Sequence, residues 1–125
     1  HAALLRPGAT VIASDACVWP SGYSGRRFQP IAISDVETKL GALGVRVITL
    51  PLCHWLQEHR LPESLSSSAA LGAFAALAGF TLPDIDSLVS DSWHERDRED
   101  NLRLCAIALA HTAACIAGGR LAAAA

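Results

Sequence analysis

Val45-Arg-Val-Ile-Thr-Leu50, closed by Pro51, is the stretch on which the fold turns. It is rich in β-branched residues, alternates well enough for a half-buried strand, and lies between Gly44 and a proline that stops it. Upstream, Ser34-Asp-Val-Glu37 has the S-x-x-E form of a capping box and opens a helix that stops at Gly41 or Gly44. Ahead of that helix, Ile31-Ala-Ile33 reads as a short buried strand. Residues Ala9 to Ala13, with Cys17-Val-Trp19, read as a strand that runs out at Pro20, and Ser21 to Arg27 as the loop after it.

Downstream the pattern turns helical. Leu52 to Arg60 is a short helix with Trp55 and Leu56 inward, ended by Pro62. Ser66 to Ala78 places Leu71, Phe74, Leu77 and Ala78 at helical spacing before Gly79, which predicts a close-packed core helix. Thr81 or Asp84 caps a further helix through Ile85, Leu88 and Val89. The charged run His94 to Asp100 reads as a solvated helical face or a turn. From Asn101 onward, Leu102, Ala106, Leu109, Ala113 and Ile116 form one apolar stripe, with Leu104, Ile107 and Ala108 opposite; such a helix belongs in a core or in an oligomer interface. The expected fold is therefore α/β: one small domain spanning 1–125, with a short, mostly parallel sheet and a helix-rich C-terminal half. His1 and residues 122–125 are left out of the functional reading.

Composition narrows the function. The 125 residues are 51% hydrophobic and 18% charged, enough for one real core. A formal charge of −2 argues against a strongly basic nucleic-acid or membrane patch, and with one lysine, Lys39, the positive surface is arginine. Cys17, Cys53, Cys105 and Cys115 lack the paired short spacing of a zinc knuckle and read as buried free thiols, which places the protein in a reducing, cytoplasmic setting. The longest apolar run, Cys105 to Ala117, is interrupted by His111 and Thr112 and is too short to span a membrane; Ala2 to Leu5 is too short for a signal core.

The most suggestive chemistry lies in acids at the ends of elements. Asp15 follows the first strand, Glu37 opens the first long helix, and Asp86 opens the helix after Leu82-Pro83. Brought together, such carboxylates hold Mg²⁺ or Mn²⁺, hard cations that prefer oxygen and activate water for phosphodiester cleavage. Arg26 and Arg27 would then grip the phosphate backbone. The plain alternatives are a turn residue for Asp15, a capping glutamate for Glu37 and a first-turn acid facing the helix dipole for Asp86.

Ile12-Ala-Ser-Asp15-Ala-Cys-Val18 resembles the strand-ending opening of PIN domains, the metal-dependent ribonucleases of many toxin pairs. Ile31-Ala-Ile-Ser-Asp-Val-Glu37 is similar to their second acidic block, and Ala78-Gly-Phe-Thr-Leu-Pro-Asp-Ile-Asp86 to the block that sets a third acid at a helix start. The resemblance implies an RNA substrate and a metal held by Asp15, Glu37 and Asp86, with Asp91 or Asp84 supplementary. Asp97-Arg-Glu-Asp100 before an alanine-rich helix similarly resembles the final acidic helix of RNase H-like resolvases. His111 and Cys115, four apart, are one half of a zinc site at most.

The leading expectation is thus a metal-dependent nuclease acting on RNA. Its rival is a non-catalytic interaction domain, pairing through the Ala-rich helices Ser66 to Ala78 and Asn101 to Ala117 with a second copy or another protein. A mean hydropathy of +0.31 favours a covered apolar surface.

Overall fold

A computed structural model describes residues 4–15 and 32–118. In chain order the elements are β1 (Thr10–Ser14), α1 (Ile33–Ala42), β2 (Arg46–Leu50), α2 (Leu52–Glu58), α3 (Ser66–Ala78), α4 (Leu82–Val89) and α5 (Glu95–Ala117). Short 3₁₀ turns at Glu63–Leu65 and Ser90–Ser92 precede α3 and α5. β1 and β2 pair in parallel, Thr10 beside Arg46 through Ser14 beside Leu50, so the described sheet is two-stranded. This is a small α/β domain with a helix-rich C-terminal half.

Parallel partners point the same way, so the register assigns the faces. Ile48 and Leu50 are buried, and with Ile12 they pack on Trp55, Leu56, Leu65, Ala69, Ala73, Leu104 and Ala108. Burying a side chain such as Leu104 completely contributes about 1.5–3 kcal/mol. Ala13 lies beside Thr49 on the other face, which is the face α1 covers.

Ile31 and residues 17–30 lie outside the described residues, but Ile33 belongs to α1 rather than to a short strand. The half-buried residues Ile33, Val36 and Leu40 are spaced as one helical stripe, and a run of three apolar residues carries no period of its own. The capping box at Ser34 also fails to form: Ala32 is the N-cap, without a side-chain bond. A capping box does close at α4. There Thr81 N and Oγ1 both donate to Asp84 Oδ2 at 2.8 Å, and Asp84 N donates back to Thr81 Oγ1 at 3.4 Å.

Helix ends follow local chemistry. At the end of α1, Gly44 takes φ +74, Gly44 N bonds Gly41 O and Val45 N bonds Leu40 O, the 5→2 and 6→1 bonds of a Schellman motif. The same closure ends α2, with Arg60 at φ 53 in the left-handed position and Leu61 N on Leu56 O.

The α3–α5 crossing sets the packing of the C-terminal half. Gly72 is where the two backbones meet: a Cβ there would stand 2.9 Å from Cys105 Cα and closer still to its carbonyl oxygen. So close an approach admits only small side chains between the helices, and α3 buries Ser68, Ala69, Gly72, Ala73 and Ala75. Phe74 is consequently turned out, 55% exposed, and Ala78 with it, against the expectation of a core face through both. On α5 the buried line is Asn101, Leu104, Cys105, Ala108 and Thr112, leaving Ala113 and Ile116 outside.

Candidate functional site

Each acid singled out in the sequence has a definite place. Asp15 follows β1, its N–H bonded to Leu50 O at 3.3 Å, and its Oδ1 accepts from Cys53 N at 3.1 Å in the first turn of α2. Cys53 N is one of the amides a helix start leaves without an internal partner, so Asp15 acts as a cap supplied from the neighbouring strand. Glu37 projects from α1 and accepts a hydrogen bond from Thr49 Oγ1 on β2. Both acids thus lie at the carboxyl end of the sheet, where open α/β sheets commonly bind ligands.

Asp86 is elsewhere. It lies on α4 and receives Arg98 of α5, Nη2 at 2.7 Å and Nε at 3.2 Å, a two-nitrogen grip that ties the helices together. Asp91 is exposed in the 3₁₀ turn before α5, and Asp84 is bound to Thr81. Asp97 and Asp100 occupy the first turns of α5 and pair with Arg96 at 3.6 Å and Arg103 at 3.8 Å. Among the described residues no three His, Cys, Asp or Glu side chains stand close enough to hold a metal ion. Asp15 thus caps α2, Glu37 meets Thr49 at the same end of the sheet, Asp86 pairs with Arg98, and Asp91 lies exposed after α4. Arg26 and Arg27 lie outside the described residues.

The bonds to Thr81 hold the exposed Asp84 carboxyl below its usual value of 3.8, the backbone N–H contributing most. A carboxylate lowered in the fold stabilises it above the unfolded value, and this support is lost as pH falls through the lowered one. Wild type should therefore exceed Asp84→Asn in stability at neutral pH, and the gap should close well below pH 3.8. Urea midpoints measured at both pH values check this; a gap that persists in acid would show that the charge is not what stabilises.

His111, Cys115 and Thr49 meet at the edge of β2 that has no partner strand among the described residues. His111 Nε2 lies 3.0 Å from Thr49 O, with its ring edge-on to Trp55 at 5.2 Å. A carbonyl only accepts, so Nε2 carries the proton and covers a strand carbonyl that has no sheet partner among the described residues. Cys115 Sγ is 3.8 Å from that same nitrogen. Already donating to Thr49, Nε2 is no base for the thiol and presents no lone pair for a metal shared with it.

The cysteines differ more than their apolar sequence neighbours imply. Cys53 is exposed, Cys115 half-buried and Cys105 fully buried, where burial pushes its thiol up to about 11 and Sγ donates to Ser68 O at 3.2 Å. Cys53 is exposed because it lies on the outer side of α2, opposite the buried Leu52, Trp55 and Leu56.

The feature that neither motif nor spacing announced is the outer side of α3. Residues 64–83 contain no charged side chain. Ser67, Ala70, Phe74 and Ala78 lie exposed along one side of the helix. Phe80, just past its end, is 45% exposed, and Leu88 on α4 is 71% exposed. The uncharged run was the readable signal, and it admits a buried helix as readily as a docking face. No described helix is long and apolar enough to cross a membrane. Comparison with protein-family models, curated proteins and solved structures finds no match to this chain, so the likeness to PIN domains rests on the quoted motifs alone.

Proposed function

We propose that this domain is an interaction module that binds a protein segment on the outer face of α3. The observation that carries the reading is Phe74, a large aromatic more than half exposed in the middle of a helix side that has no charge. Isolated apolar surface residues are ordinary, but Phe74 stands exposed on an uncharged helical side, and interface cores are depleted in charge and enriched in aromatic residues. The tight α3–α5 crossing accounts for Phe74 pointing outward.

A metal-dependent nuclease would need its carboxylates converging on one ion, and among the described residues Asp15 and Glu37 lie at one end of the sheet while Asp86 is paired with Arg98 between α4 and α5. The interaction reading needs no rearrangement.

Selection of binders from a displayed random-peptide library tests it. Selected peptides should bind wild type and lose about tenfold or more in affinity against Phe74→Asp, the loss expected of a central aromatic anchor. The same substitution should change stability by only about 0.5 kcal/mol, as at other surface positions. Peptides that bind both proteins equally would overturn the assignment.

A further inference from the structure

Resting on the α3 docking face, we infer that its occupant is an amphipathic helical segment with basic residues flanking its apolar stretch, and not a second copy of this chain. The charge around the face supports this. Residues 61–95 hold five acids, Glu63, Asp84, Asp86, Asp91 and Glu95, and no lysine or arginine. Asp86 is neutralised by Arg98. The other arginines of α5 are taken up by acids of their own helix, Arg96 by Asp97 and Arg103 by Glu99 and Asp100. Glu63, Asp84, Asp91 and Glu95 are exposed, with no ion pair among the described residues. Arg60 precedes the turn that leads into α3.

The positions of these acids define the ligand. Glu63 lies exposed in the 3₁₀ turn that leads into α3, at the N-terminal end of the helix. Asp84 lies past the C-terminal end, hydrogen-bonded there to Thr81. Between them α3 runs 13 residues, about 20 Å of uncharged helix. A complementary segment is thus a helix of about four turns, apolar on one side, with Lys or Arg at both ends, seated as in other helix-on-groove complexes. A second copy would meet like charge either way. Antiparallel, Glu63 would face the copy's Asp84; parallel, each acid would face its own counterpart. The negatively charged surface of a typical anionic bilayer is excluded by the same repulsion.

The test uses the whole chain and two synthetic labelled peptides sharing one Leu-rich helical stripe, one with Arg at both ends and one with Glu. Fluorescence anisotropy should show the Arg peptide binding about tenfold tighter or more, with the preference shrinking as salt rises. Phe74→Asp and, independently, Leu88→Ser should each weaken it, and Glu63→Gln should reduce the Arg preference while leaving the fold intact by circular dichroism. Equal binding of both peptides would overturn the charge assignment and leave the face standing. So would a dimer in sedimentation that Phe74→Asp dissolves, which would make the occupant a second copy. A monomer that binds neither peptide would overturn both this inference and the docking face beneath it.

Discussion

Gly72→Ala should destabilise the domain by about 3 kcal/mol, in the upper range for overpacking. In the middle of an exposed helix the same change would stabilise by about 1 kcal/mol, because alanine is the better helix former. The sign therefore reports the crossing. The new methyl would meet the carbonyl oxygen, carbonyl carbon and Cα of Cys105, and all three are backbone. No rotamer change relieves a backbone clash, so α3 and α5 must part. Parting them loosens Ala69 and Ala73 against Leu104 and Ala108, the small-residue contacts that only a close approach makes. Urea unfolding followed by circular dichroism gives the difference directly, and a thermal midpoint lower by roughly 10 °C should accompany it. A variant as stable as wild type would show that the helices do not cross at contact distance, and with that the reason for Phe74 facing outward would fall.

The second large effect is expected at Asn101, 5% exposed on α5. Its Oδ1 accepts from Ser68 Oγ of α3, itself 2% exposed, and its Nδ2 donates to Asp97 O at 2.9 Å. The pair is a polar stitch across the helix crossing, one turn from Gly72. Asn101→Ala should cost about 2–3 kcal/mol, because it strands a buried hydroxyl and leaves a void besides. Ser68→Ala alone should cost less, about 1–2 kcal/mol, since the orphaned Oδ1 is the main loss. The double variant should then be more stable than the sum of the two, because with both partners gone neither is left unmet. A strictly additive pair would mean that the two side chains do not rely on each other.

Both predictions concern the crossing that also dictates which side of α3 is presented, so fold and proposed function fail or stand partly together. Loss of the crossing would free α3 to turn, and the exposure of Phe74 would have to be established afresh. Retention of the crossing alongside no peptide binding would instead isolate the fault in the functional reading.

Much of the local structure was written in the sequence, because it depends on neighbours. α3 begins and ends where Ser66 and Gly79 place it, since a left-handed glycine closes a helix whatever surrounds it. β2 lies within the predicted Val45 to Leu50, and Trp55 and Leu56 face inward as their spacing required. The helix-rich C-terminal half followed from the 3.6-residue recurrence of apolar positions.

The sequence by itself therefore determined most of the elements, with Ile33 of α1 the exception, together with the small α/β class and the uncharged character of α3. Partners distant along the chain were decided only in three dimensions. Glu37 and Asp86 each read as a metal ligand or as a first-turn acid, and neither reading names the partners the fold supplies, Thr49 for Glu37 twelve residues on and Arg98 for Asp86. Ser68 and Asn101 are 33 residues apart and nothing local couples them. The same holds for the orientation of α3: hydrophobicity alone put Phe74 inside, but the contact between Gly72 and Cys105 leaves space only for small residues there. Steric exclusion at that crossing, a property of two backbones at once, turned the largest apolar side chain of the helix toward solvent.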